Sequence, residues 1–272
     1  EIAEKLGAHM LANNPNIKAY QVVQGFLNLS LNDAVWIQIL DTINHDDCPF
    51  ELASKNEKVL IEYSSPNTNK PLHLGHLRNN FLGFSVAQIL AAAGYEVIKT
   101  NLVNDRGIHI CKSMLAYQLF GNQETPETSG LKGDHLVGKY YVAFDKHFNA
   151  EAASIIEQWD ANNFEFFPAE IEFEYKRLSA ALEGKDEKSQ AGILDKIKDL
   201  AKNQTTLLRD VKEMLVKWEA RDPQVYLLWT TMNNWVYQGF DVTYRSIAVD
   251  FDKSYYESDT FLLGKDIVVE GL

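Results

Sequence analysis

Apolar residues recur along the chain at two spacings. Leu6, Met10 and Leu11 fall on one side of a helix over residues 1–13, which Asn13-Asn14-Pro15 ends. Residues 20–31 hold two strand-like runs with Gly25 between them, residues 33–43 are helical again, and residues 44–49 form a loop. Lys58-Val-Leu-Ile-Glu-Tyr63 is a clean strand, followed by a turn-rich loop over residues 64–71. Leu74, Leu77, Phe81, Leu82, Val86, Ile89, Leu90 and Ala93 then step at helical spacing, and Gly94 closes that helix. A second strand over residues 95–100, a polar loop over 101–107 and a helix over 108–119 complete a strand–helix–strand–helix order. This order predicts an α/β fold, with a parallel strand pair joined by a right-handed crossover as the start of a Rossmann-like half-sheet.

The second half of the chain reads as mainly helical. Ile193, Ile197, Leu200, Gln204, Leu208, Val211, Leu215 and Trp218 step by three or four along one long helix, an apolar seam. Asp222-Pro223 caps the next helix, and Gly239 is expected to stop it. Residues 241–244 and 267–269 look like strands. The expected organisation is a partial α+β domain over residues 1–57, the first half of a Rossmann-like domain over 58–122, and over 123–272 a helical insertion that begins to return to the sheet. The chain starts at Glu1, inside a helical pattern, and stops just after a strand-like run, so a segment of a longer protein is expected.

Composition narrows the class. The 272 residues are 46% hydrophobic and 24% charged, as in a soluble globular protein. The longest uncharged run, residues 79–95, is too short to span a membrane and contains Asn79, Asn80, Ser85 and Gln88, so it reads as a buried helix. Cys48 and Cys111 form no C-x-x-C pair, and His45 with Cys48 makes only a loose ligand spacing. No metal site is expected, and a reducing cytoplasm is the default compartment. The net charge of −12 argues against a protein that simply coats nucleic acid. It is unevenly spread. Residues 1–57 carry 3 basic and 8 acidic groups, residues 58–110 carry 5 and 3, and residues 111–272 carry 18 and 27. Only the middle stretch is positive, so an anionic ligand is least repelled there.

That stretch contains His73-Leu-Gly-His76, which follows a strand and loop and opens the crossover helix. At this composition H-x-G-H arises by chance roughly 0.01 times in such a chain. Nucleotides bind beyond the carboxyl ends of strands in doubly wound sheets, where a helix N-terminus offers unpaired N–H groups to phosphate. Two imidazoles can donate to phosphate oxygens as charge develops in nucleotidyl transfer, and Gly75 lets a nucleotide approach the backbone. The bland alternative is two partly buried structural histidines.

Residues 59–79, Val59-Leu-Ile-Glu-Tyr-Ser-Ser-Pro-Asn-Thr-Asn-Lys-Pro-Leu-His-Leu-Gly-His-Leu-Arg-Asn79, resemble the signature of the class I aminoacyl-tRNA synthetases. Within them they are similar to the arginyl-tRNA synthetase family, whose pattern is approximately V-E-x-S-S-P-N-x-x-K-P-x-H-x-G-H-L-R. Asn101-Leu-Val-Asn-Asp-Arg-Gly107 resembles that family's N-x-x-x-D-W-G segment, with Arg106 in place of Trp. The resemblance implies arginine, ATP with Mg²⁺, and tRNA(Arg) as substrates and partners, and a monomer. It implies His73 and His76 as catalytic, and His73, Gly75, His76 and Lys70 as ATP-binding. Glu62, Ser65, Asn67 and Asp105 would meet arginine. The alternative for Glu62, an outward strand residue, is the less favoured reading, whereas Lys70 is equally readable as a solvated loop lysine. Gln24-Gly-Phe-Leu-Asn28 is similar to a G-F-I-N segment of the family's N-terminal domain, which would make Phe26 and Asn28 tRNA contacts, although a core position suits Phe26 better. Phe240-Asp-Val-Thr-Tyr244 resembles an F-D-V segment near the end of the family's insertion. A Lys-rich KMSKS-type loop is absent from these residues, so the segment is expected to hold half an active site and to be inactive alone. The alternatives are a free-standing H-x-G-H nucleotidyltransferase and a non-catalytic, synthetase-derived RNA-binding module.

Overall fold

A computed structural model describes residues 1–45 and 52–271. Cys48 therefore lies outside the described residues. The chain divides into two compact units, residues 1–57 with 89–96, and residues 58–88 with 97–272.

In the first unit, α1 (Ile2–Asn13) precedes the antiparallel hairpin β1 (Ile17–Val23) and β2 (Phe26–Leu31), and α2 (Asp33–His45) follows. Val23 pairs with Phe26, leaving Gln24 and Gly25 as a two-residue turn with φ of +51° and +87°. Positive φ at both positions is the turn whose twist matches a hairpin, and glycine adopts it without strain. Phe26 is 74% exposed, which corrects the core reading. It stands at the first pair of β2, directly after the turn, where no core forms around it.

In the second unit the sheet order is β3 (Lys58–Glu62), β4 (Glu96–Val103), β5 (Lys253–Tyr256), with β4 central. β4 and β5 are parallel from Thr100↔Lys253 to Val103↔Tyr256, and a parallel bridge Asn67↔Asn104 continues the line of β3 and β4. Entry to β5 is fixed by Asp252, whose N–H donates to Lys99 O and whose carboxylate accepts the Lys99 N–H. The crossover helix α3 (Leu74–Ala92) buries only Asn80 and Ala87. A Cβ on Gly83 would stand 2.4 Å from Cβ of the buried Tyr63, so the strip facing β3 is made of small residues. Phe81, Leu82, Val86 and Ile89 are exposed, so the buried-helix reading of residues 79–95 does not hold: the large apolar residues lie off the sheet-facing strip.

The helices are α4 (Ile108–Phe120), α5 (Pro126–Ser129), α6 (Gly133–Asp160), α7 (Ala169–Ala180), α8 (Glu187–Lys202), α9 (Thr206–Glu219), α10 (Pro223–Ser246) and α11 (Glu257–Gly271). One core joins α4, α6, α9 and α10 through Met114, Leu136, Tyr140, Val211, Trp218 and Val236. A second gathers α7 and α8 around the far end of α6, with Trp159 at its centre.

Several sequence expectations change. The seam over residues 193–218 is two helices, because Thr205 caps α9 by accepting the Leu208 N–H while donating to Lys202 O. Asp222 does cap α10, accepting from the N–H groups of Gln224 and Val225. Gly239 does not stop that helix. It sits inside α10 where a Cβ would meet Asp134 Oδ1 at 2.4 Å, so its role is close helix approach. Residues 241–244 are consequently helical, not a strand. Residues 267–269 lie in α11, whose first turn carries Glu257 and Asp259 at its positive end. The returning strand is β5 instead. The polar loop at 101–107 is shorter than expected, since β4 runs through Val103.

Candidate active site

The loop from β3 to α3 begins with strain. Ser64 and Ser65 both hold positive φ, +73° and +46°. Such residues cost about 1–3 kcal/mol each and persist where surroundings over-determine them. Here Ser64 Oγ is within 2.7 Å of Tyr244 Oη, and the Ser65 N–H donates to Asn101 Oδ1 at 3.1 Å. Ser65 Oγ donates to Glu62 Oε1 at 2.9 Å. Further along, the Asn104 N–H donates to Pro66 O and the Thr68 N–H donates to Asn104 O, both at 2.9 Å. Glu62, Ser65 and Asn67 are thus brought together on one loop stitched to the end of β4. Glu62 and Ser65 are exposed and Asn67 is half-buried.

His73 is the residue before the first turn of α3. Its Nδ1 accepts the Gly75 N–H at 3.1 Å, while His76 Nδ1 accepts the His73 N–H at 3.1 Å. This reciprocal pattern is a capping box written in imidazoles: two orphan N–H groups of the helix start are satisfied by side chains three residues apart. A Cβ on Gly75 would lie 2.9 Å from His73 Cε1, so a side chain there would push the ring off the amide. The ring centroids are 3.9 Å apart. With each Nδ1 accepting from backbone, each Nε2 carries the proton and is left as a donor. Burial, His73 and the positive charge of Lys70 lower the His76 pKa below its ordinary value, which keeps that ring neutral at pH 7.

Lys70 is half-buried, and its charge reaches both His76 and His109. Behind it, a Cβ on Gly138 of α6 would meet Pro71 Cδ at 2.7 Å and Lys70 Cα at 3.8 Å, so the insertion backs directly onto the loop.

Asp105 is placed differently. It is 1% exposed, and both oxygens are taken by its own chain: Oδ1 accepts the Ser258 N–H at 2.8 Å, and Oδ2 accepts from Ser258 Oγ and Tyr237 Oη at 2.6 and 2.8 Å. Its carbonyl accepts Trp229 Nε1–H at 2.7 Å. It forms one wall of a cavity of about 200 Å³, with Trp229, Asn233, Tyr237, Tyr256 and Ser258. Sequence reasoning missed Tyr237, Tyr244 and Ser258, whose side chains reach across 132, 180 and 153 positions; no local pattern marks them. Phe26 and Asn28 are exposed on β2 of the first unit. Among the described residues, no group of three or more His, Cys, Asp or Glu is placed to hold a metal ion, and no helix is long and apolar enough to cross a membrane.

Residues 39–258 match the family model described as tRNA synthetases class I (R), catalytic domain. The chain is 50% identical to an arginine–tRNA ligase of Bacteroides fragilis and 49% identical to one of Bacteroides thetaiotaomicron, each over an alignment of 275 residues. All of this chain is covered, but it spans about 40% of the length of those relatives. The solved arginyl-tRNA synthetase of Thermus thermophilus superposes with a TM-score of 0.51 over 98% of this chain and 34% of that one. At 22% identity, that likeness speaks for the fold alone.

Proposed function

The chain belongs to the class I (R) tRNA synthetase catalytic-domain family, and from that premise we propose that it supplies part of the active site of an arginine–tRNA ligase. A carboxylate oxygen of arginine attacks the α-phosphorus of ATP, the bond to the β-phosphate oxygen breaks, and pyrophosphate leaves. The 2′- or 3′-hydroxyl of the terminal tRNA ribose then attacks the arginyl carbonyl and AMP leaves. Mg²⁺ enters with ATP as part of the substrate.

The observation that carries this reading is the pair of imidazoles fixed as Nε2–H donors at the start of α3. His73 and His76 stabilise charge developing on the phosphate oxygens, Gly75 keeps the backbone approachable, and Lys70 supplies positive charge. Glu62 suits the α-ammonium or guanidinium of arginine, beside Ser65 and Asn67. Asp105 acts one layer back, holding the end of β4 to α10 and α11. Residues 1–57 carry the tRNA-facing part, with Phe26 and Asn28 as contacts. Residues 58–122 form the first catalytic half, and residues 123–272 the insertion and its return. The protein works as a cytoplasmic monomer.

The test is arginylation of tRNA(Arg) by the complete gene product carrying His76→Ala. A donor used only in the transition state gives a fall in kcat of about 10²–10³ with little change in the KM for arginine. A change confined to KM would refute the assigned role.

A further inference from the structure

Arg106 follows Asp105 at the carboxyl end of β4, and its side chain turns inward. The guanidinium carbon lies 3.8 Å from the Phe261 ring centroid and 5.4 Å from that of Trp218, and Nη2 donates to Glu219 Oε1 at 3.1 Å. Phe261 belongs to α11, and Trp218 and Glu219 end α9. One side chain at the end of the central strand therefore holds two helices of the insertion and its return. A guanidinium can do this because it is planar, always charged, and able to lie on aromatic faces while its edge meets a carboxylate. The Arg106 side chain keeps 20% of its exposure and that of Glu219 50%, so the guanidinium is largely desolvated on its aromatic faces while its carboxylate partner stays half open to water.

The clamp lies two residues from Asn104, which holds the loop of the proposed amino-acid site. Asn104 is bonded to Pro66 and Thr68 on either side of Asn67, and Asn101 holds the N–H of Ser65. The loop bearing Ser65 and Asn67 is thus placed by residues 101–104, of which 101–103 are held by pairing with β5, while Asn104, past the last residue so paired, takes its place from the anchors at residues 105 and 106. Asp105 anchors to α10 and to Ser258, and Arg106 anchors to α9 and α11. We propose that Arg106 is a positioning residue for the arginine end of the active site, setting the place of Asn67 through Asn104 by gripping Glu219 and Phe261. This rests on the assignment of Asn67 as an arginine contact.

Steady-state arginylation by the complete gene product tests it, with KM for arginine and for ATP measured separately for Arg106→Ala, Arg106→Lys, Glu219→Gln and Asn67→Ala. Arg106→Ala is expected to raise the KM for arginine roughly tenfold, the size of a lost desolvated cation–π and ion-pair grip, while the KM for ATP stays within about twofold. Arg106→Lys keeps a cation but loses the planar fork, so it recovers only part of the loss and still raises the KM for arginine selectively, as Glu219→Gln does. A purely structural role would lower the melting temperature and active fraction without separating the two KM values, and that result overturns the inference. If Asn67→Ala raises the KM for arginine and Arg106→Ala does not, the site stands and the inference fails. If Asn67→Ala leaves it unchanged, the site assignment itself fails, and the inference with it. Should Arg106→Ala not fold, Arg106→Lys and Glu219→Gln decide: no selective effect on arginine in either refutes the proposal.

Discussion

The same substitution, glycine to alanine, is expected to have opposite signs at two helical positions of the second unit. At Gly239, inside α10, an added Cβ would stand 2.4 Å from Asp134 Oδ1 and 2.8 Å from the Asp134 N. Rotating the carboxyl relieves the first contact, but the second is backbone in the first turn of α6, and Asp134 is fully buried. The two helices must then separate by several tenths of an ångström across a packed core. Overpacking of this kind costs about 1–3 kcal/mol, more than the roughly 1 kcal/mol that alanine contributes over glycine in a helix. At Gly192, inside α8, a Cβ meets nothing within 4 Å, so only the helix term remains and Gly192→Ala should stabilise by up to about 1 kcal/mol. Urea unfolding followed by far-UV circular dichroism gives both midpoints, and because both glycines lie in one compact unit they report on one body. Equal or greater stability for Gly239→Ala would refute the close approach of α6 and α10. A loss in Gly192→Ala would refute the open surface of α8.

Three further outcomes follow from the site. His76→Gln, whose amide reaches about as far as Nε2, should keep more of kcat in arginylation than His76→Asn, whose amide stands in for Nδ1; the reverse order would mean that Nδ1 does the work. The His76 pKa is lowered, so the unfolded chain takes up that proton first as pH falls. Stability from this group is complete above its ordinary value of 6.5 and is lost as pH drops through the folded value, so urea midpoints should fall less between pH 7.5 and 5.5 in His76→Asn than in the native chain. An equal fall would show that His76 is not held neutral. Asp105→Asn removes an acceptor from a buried site with three donors and should cost about 2–3 kcal/mol by thermal unfolding, whereas a surface role would leave the midpoint unmoved.

What was legible in the sequence is what local chemistry decides. The hairpin around Gly25, strand 58–62, the H-x-G-H helix start and the Asp222-Pro223 cap each carry their cause within a few residues. The errors cluster where a distant partner decides. Gly239 reads as a stop, yet Asp134, more than 100 positions away, is the reason it must be small. Residues 241–244 and 267–269 are short apolar runs for which spacing alone cannot separate strand from helix. The true return strand, Lys253–Tyr256, shows no apolar alternation and is defined by its register on β4 rather than by pattern. The break at Thr205 was available to local reasoning, since threonine with an open hydroxyl is a cap, but the unbroken apolar seam concealed it. In the site, the H-x-G-H string was readable, whereas the Asp105 and Arg106 anchors depend on residues of α9, α10 and α11, among them Trp218, Glu219, Tyr237, Ser258 and Phe261, that no local pattern links to β4.

The capping box constrains the chemistry more than the motif alone does. Because His76 spends Nδ1 on the His73 N–H, its ring takes a proton there only by breaking that helix-start bond, which would cost about 1 kcal/mol. His76 is therefore a donor through Nε2 and a poor general base, which suits the proposed reaction, whose nucleophile arrives as a carboxylate and needs no deprotonation. A neutral donor, however, brings little net charge to a triphosphate. Burial is the largest cause of the lowered His76 pKa and the Lys70 charge a smaller one, so a cation that helps to keep the imidazole neutral is also the one proposed to meet the phosphates. Removing that charge has two linked effects: the His76 pKa rises toward its ordinary value, and the attraction for ATP weakens. Lys70→Met should accordingly raise the KM for ATP in arginylation while shifting the acid limb of the kcat profile to higher pH. An increase in KM with an unshifted acid limb would separate the two roles and show that His76 titrates independently of its neighbour.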